Sequence, residues 1–130
     1  MPVPGFNALI DLSHHNTVTD WKSVADDGIV AVIHKATEGA TFRDLLHPDR
    51  RKKATESGLL WGSYHYASAA DPALQVANFL DHATPSDDEL VCLDYEPGSS
   101  GQNMSLAQMV AFVELIHAEL GRFPVIYGGL

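Results

Sequence analysis

Short, almost wholly apolar runs alternate along this chain with segments of helical periodicity, from residues 8–12 to residues 124–127. An apolar run without polar alternation is the mark of a strand buried on both faces. Strands of that kind separated by helical segments return in parallel, because a parallel pair needs a crossover connection. The pattern confines the chain to an α/β architecture with a parallel sheet. Five strands are expected, at 8–12, 29–35, 59–66, 89–95 and 124–127. Four helices fall between them. The first, 20–27, carries Trp21, Val24 and Ala25 on one stripe, with Gly28 behind it. The second, about 48–57, is charged, and its basic run Arg50, Arg51, Lys52 and Lys53 is expected to be a solvated face. The third opens at Asp71 with Pro72 next to it, an N-cap residue followed by a first-turn proline. The fourth has Ser105 and Gln108 at capping-box spacing, an apolar stripe of Leu106, Met109, Val110 and Val113, and Gly121 as its stop.

Length and charge narrow the function classes. The 130 residues fit one domain, taken as 1–130. Eight Lys and Arg against 17 Asp and Glu give a formal net charge of −9, which excludes a nucleic-acid footprint. No apolar run approaches the roughly 20 residues that cross a bilayer, so no membrane association is expected. Residues 1–10 have neither a basic segment nor an extended apolar stretch, so no signal peptide is expected there. Cys92 is the one cysteine, which excludes an intrachain disulfide and reads as a buried strand residue. Trp21 and Trp61 read as packing residues. Among the seven histidines, adjacent His14 and His15 point to opposite sides of an extended segment, and ligand spacings such as His-x-His are absent. No metal site is expected: His34 reads as packed under a helix and the other histidines as surface loop residues.

Chemistry concentrates at one edge. Strand alternation over 91–96 puts Val91, Leu93 and Tyr95 on one face and Cys92, Asp94 and Glu96 on the other. Two carboxylates about 6.6 Å apart at Cα resist simultaneous ionisation, so one of them should hold its proton to higher pH, as a general acid must. Polar residues also end every other strand. Asp11 ends the first, Lys35 and Glu38 follow the second, Tyr64, His65 and Tyr66 close the third, and Tyr127 closes the fifth. In parallel α/β folds, that C-terminal edge is where ligands bind.

The segments Ile10-Asp11-Leu12-Ser13, Asp20-Trp21, Lys35-Ala36-Thr37-Glu38-Gly39, Gly62-Ser63-Tyr64-His65-Tyr66 and Leu93-Asp94-Tyr95-Glu96 together resemble glycoside hydrolase family 25, the Chalaropsis-type lysozymes or N-acetylmuramidases. The resemblance implies a TIM-like (β/α) barrel, of which about five strands and four helices are present. It implies cleavage of the β-1,4 bond between N-acetylmuramic acid and N-acetylglucosamine in peptidoglycan, at the bacterial cell wall in a secreted, periplasmic or phage-lysis setting. By the same resemblance Glu96 is the proton donor, Asp94 assists at the 2-acetamido group or the anomeric charge, and Asp11 is a further active-site carboxylate. Tyr64, Tyr66 and Tyr127 would then line sugar subsites, with Lys35 and Glu38 supporting them. No cofactor is implied. The chain departs from the family pattern at Asn16, where Gln is common. It also carries His47 and Arg50 after Asp44, where an aromatic residue and Asn are expected. A partial barrel also leaves two sheet edges open, so self-association through them is expected. Two other readings stay open. One is a peptidoglycan-binding module without turnover. The other is a flavodoxin-like domain, which five βα units would fit in size, although no G-x-G-x-x-G follows the first strand.

Overall fold

The computed structural model describes residues 8–98 and 101–129. Expectations resting on residues 1–7, Ser99, Ser100 and Leu130 lie outside the described residues, including the reading of the N-terminus as lacking a signal and part of the Gly/Ser-rich loop. The elements run β1 (Leu9–Leu12), α1 (Trp21–Asp26), β2 (Ala31–Glu38), β3 (Phe42–Arg43), α2 (His47–Glu56), β4 (Leu60–Tyr66), α3 (Pro72–Ala83), β5 (Leu90–Tyr95), α4 (Leu106–Leu120) and β6 (Val125–Gly128). Five strands pair in parallel in the order β1-β2-β4-β5-β6, and β3 pairs antiparallel with the end of β2.

Local signals fix most boundaries. The Asp20 side chain caps α1 by accepting from the Lys22 N–H, and Asp71 does the same for α3 at Ala73. The Ser105–Gln108 capping box is formed, and Gly121 closes α4 in the left-handed region at φ 71°, where glycine is unstrained. The second strand differs from expectation: it runs to Glu38, three residues past the expected end at Lys35. Thr37 and Glu38 are paired on both sides, with Arg43 and Phe42 of β3 and with His65 and Tyr66 of β4. A polar strand end bonded in this way carries no apolar run to betray it, and the two-residue β3 is too short to show a period.

One face of the sheet is covered by helices. Trp21, Val32, Ala54, Leu59 and Trp61 form a core under α1 and α2. Val76, Phe79, Ala83, Phe112 and Ile116 of α3 and α4 close over Val91 and Leu93 of β5. Each fully buried large side chain here contributes about 1.5–3 kcal/mol by leaving water. The opposite face is concave. Leu9 and Asp11 on β1 line the same cleft as Val125 and Tyr127 on β6. In a flat sheet those edge strands would lie about 19 Å apart, four strand spacings. The sheet is therefore curled into a half-barrel.

Two expectations about charged residues are corrected by the packing. The basic run on α2 is not a solvated face as a whole, because Arg50 is only 9% exposed. Its guanidinium donates to Ser13 O at 2.9 Å, Asn16 O at 2.6 Å and His34 Nε2 at 3.1 Å. Arg51 makes a two-pronged bond to Glu89, at 2.9 and 2.6 Å, which leaves Lys52 and Lys53 as the exposed members. Nor are the histidines other than His34 all on surface loops, since His47 and His65 are buried as well. Three of their four ring nitrogens meet Ser63, Thr37 and Gln75, and His47 Nδ1 is buried without a partner among the described residues.

Candidate active site

At the C-terminal end of the sheet, strand register arranges the candidate residues in two rows across the concave face. Lys35, Tyr64, Cys92 and Val125 stand level. The next inward-facing row is Glu38, Tyr66, Asp94 and Tyr127. The β2–β4 register shifts between Lys35 and Thr37, so Ala36 is an extra residue in β2. A one-residue bulge reverses the pleat, and it brings Lys35 and Glu38 onto one face. Their side chains meet with Nζ 2.6 Å from Oε1.

Asp11, Tyr64, Asp94 and Tyr127 converge on a cleft of about 290 Å³ whose floor includes Leu9, Ile33 and Cys92. Glu96 lies just past β5 and lines an adjoining recess with Pro97, Asn103 and Met104. The Asp94 and Glu96 carboxyls adjoin across this boundary, close enough for a hydrogen bond when one of them is protonated. Tyr66 donates its hydroxyl to Pro97 O at 2.8 Å, tying the end of β4 to the loop behind Glu96. Lys35 Nζ is placed between two rings, 5.2 Å from the centre of Tyr66 and 5.0 Å from that of Phe42. All eight candidate side chains are thus on the concave face or its rim.

Two carboxyl groups this close resist simultaneous ionisation. Burial, the bond to Glu96, the Glu96 charge and the Asp11 charge push the Asp94 carboxyl up to about 7, with Lys35 opposing them. One of its oxygens, Oδ1, is buried with no hydrogen-bond partner among the described residues. Burial and the surrounding carboxylates of Asp94, Asp11, Asp44 and Glu96 raise the Tyr64 hydroxyl, so it keeps its proton at neutral pH. Burial pushes the Cys92 thiol up to about 11, which makes it a poor nucleophile. Among the described residues no group of three or more His, Cys, Asp or Glu residues is placed to hold a metal ion.

Behind the rim lies a buried polar frame that the sequence reading did not assign. His65 Nε2 donates to Gln75 Oε1 at 2.9 Å, so Nδ1 accepts from the Thr37 hydroxyl at 2.6 Å. Gln75 in turn holds Ser68 and Ala70 of the loop after β4. Asp44 is buried, and burial opposes its ionisation, yet N–H groups of His14 and Leu46 hold its carboxyl below the usual range. One signal for this frame was present in the sequence. His47, Arg50 and Ala54 fall at helical spacing and form the buried stripe of α2, but two of the three are polar and so hid it.

The family model for glycosyl hydrolases family 25 matches residues 10–130. The chain belongs to this family. The autolytic lysozyme of Clostridium acetobutylicum is 35% identical over 72 residues, covering 55% of this chain and 22% of that protein. The N,O-diacetylmuramidase of Arthroderma benhamiae is 28% identical over 130 residues, covering 90% of this chain and 55% of the relative. A solved family GH25 lysozyme from Aspergillus fumigatus superimposes with a TM-score of 0.80 at 34% identity, covering 91% of this chain and 63% of that one. The chain spans between about a fifth and two thirds of these relatives' lengths, and its half-barrel matches the family 25 fold over the part it covers.

Proposed function

We propose that this family 25 site cleaves peptidoglycan glycan strands as a muramidase, acting at the bacterial cell wall. The observation that carries the reading is the Asp94–Glu96 pair. Two carboxyls stand side by side at the C-terminal end of β5, where they resist simultaneous ionisation, and Asp94 Oδ1 is buried there without a partner among the described residues. When the proton resides on Glu96, that group donates it to the glycosidic oxygen, and the bond from the anomeric carbon to that oxygen breaks with its electron pair. Asp94, then ionised, accepts the N–H of the 2-acetamido group. The acetamido carbonyl oxygen bonds to the anomeric carbon, as in the substrate-assisted glycosidases. Water then opens this ring at the anomeric carbon and returns a proton to Glu96. Asp11 adds negative charge beside the developing cation, Tyr64 and Tyr127 flank the sugar, and Lys35, Glu38 and Tyr66 fix the rim.

The test is release of new reducing ends from purified peptidoglycan by this chain and by Glu96→Gln, with products identified by mass. Muramic-acid reducing ends from the wild type, reduced at least a hundredfold in the variant, support the reading. Equal release by both removes Glu96 from its role. Binding of glycan without release by either would instead favour the binding module.

A further inference from the structure

We infer that the rings of His14, His15 and Phe42 form a second saccharide subsite on the β1 side of the groove, outside the cleft that holds Asp94. The inference rests on the glycan-strand reading above and extends it to how much of the strand is held. The three rings are contiguous. His14 and His15 lie 4.0 Å apart at their centroids, tilted by 38°, and His14 and Phe42 lie 5.4 Å apart, tilted by 45°. All three residues are exposed, Phe42 to 41%, and none belongs to either hydrophobic core.

Exposed rings usually turn freely, and these do not all have that freedom. His14 donates its backbone N–H to Asp44 Oδ2 at 2.8 Å, and its ring Nδ1 lies 3.2 Å from the same buried oxygen. The Phe42 backbone is fixed by pairing with Glu38 and by the Asn78 amide, which donates to Phe42 O at 3.2 Å. An aromatic shelf held from behind and open in front presents apolar faces at little ordering cost on binding. The C–H faces of a pyranose fit such rings, and imidazole N–H groups suit its hydroxyl and acetamido oxygens.

Continuity with the cleft places the shelf on the same strand of sugars. From Phe42 the path runs through Lys35 Nζ to Tyr66, which stands level with Asp94. β2 and β5 are two strand spacings apart, about 10 Å. A sugar on the shelf therefore lies beyond the pair that flanks the scissile bond. Lys35, the cation over Phe42, is paired with Glu38, the buried Arg50 guanidinium is taken up by Ser13 O and Asn16 O, and the chain carries a net charge of −9. These charges favour an uncharged sugar on the shelf over the acidic stem peptide.

The experiment titrates the whole 130-residue chain with chitobiose and with chitohexaose, following imidazole Cε1–H and tyrosine ring signals by NMR. The hexamer is expected to shift the His14, His15, Tyr64 and Tyr127 signals, and the dimer the Tyr64 and Tyr127 signals alone. Phe42→Ala should weaken the hexamer about tenfold and leave the dimer within twofold. His15→Ala, which removes a ring with no buried partner among the described residues, should act in the same direction without touching the fold. Hexamer shifts confined to the cleft, or equal weakening of both saccharides, would overturn the subsite while leaving the cleft assignment standing. If neither saccharide perturbs the cleft, the glycan reading itself fails and the subsite with it.

Discussion

Lys35 Nζ lies 2.6 Å from Glu38 Oε1, although three residues along a regular strand would point to opposite faces. The extra residue Ala36 reverses the pleat and makes the ion pair possible. Lys35 is only 7% exposed, so its ammonium acts on Asp94 with little screening from water. The bulge thus brings Glu38 beside the one cation that opposes the upward push on Asp94.

Lys35→Met removes that neighbour. Since Lys35 opposes the upward push on Asp94, the Asp94 titration should move above about 7, by roughly one unit. Side-chain carboxyl NMR measures this directly. If the pair supplies the reacting proton, the alkaline limb of any glycan cleavage should move up with it. An unchanged titration would show that Lys35 does not reach Asp94 electrostatically.

The buried imidazoles make stability fall with acid. Burial lowers His34 in direction, His47 to about 3 and His65 to about 4. In the unfolded chain these groups take up protons near 6.5, while the folded chain refuses them until lower pH. Their stabilisation is therefore complete above about 6.5 and is lost as the pH falls toward 4, at up to about 1.4 kcal/mol per pH unit for each histidine. Urea unfolding at pH 7.5 and pH 5.0 should differ by several kcal/mol. His47→Phe, which keeps an aromatic edge against Trp61, should reduce that difference. A pH-independent stability over this range would contradict the buried neutral state.

What the sequence made legible follows from where the information is local. Caps such as Ser105 with Gln108, and apolar runs such as 89–95, act over a few residues, so strand order in the chain and the acidic strand end at Asp94 could be read directly. The Ala36 bulge could not, because it is defined by register against β4, a partner 28 residues away for Thr37 and His65. Arg50 was misread for the same reason. A guanidinium surrounded by charged neighbours in sequence looks solvated, and only the fold brings Ser13 O and Asn16 O to it.

That burial gives Arg50 a measurable role. Arg50→Met keeps the stem volume but leaves the Ser13 and Asn16 carbonyls and His34 Nε2 without their shared donor. The loss should be about 2–4 kcal/mol by urea unfolding. Arg50→Lys should recover less than half, since one ammonium lacks the planar fork that spans two carbonyls and a ring nitrogen. Full recovery by Lys would mean that charge alone, not the fork, holds the β1–α1 loop.

The two edges of the sheet predict how the chain behaves at high concentration. Among the described residues, β1 and β6 each have one paired neighbour, on their inner side, and their outer edges carry backbone groups open to pairing. The side chains there are apolar and exposed: Leu9 to 52%, Val125 to 48%, Ile126 to 46% and Tyr127 to 59%. β6 carries none of the inward-pointing charges that block pairing between molecules, and β1 carries Asp11 alone. The chain should therefore self-associate in a concentration-dependent manner, seen by sedimentation velocity as a rising average mass. Ile126→Lys places a charge on β6 itself, and because the wild-type side chain is exposed, the fold loses little apolar burial. Association should drop at least severalfold in the variant with its melting temperature nearly unchanged. A wild-type chain that sediments as one monomeric species at all concentrations would show that the curled edges do not meet.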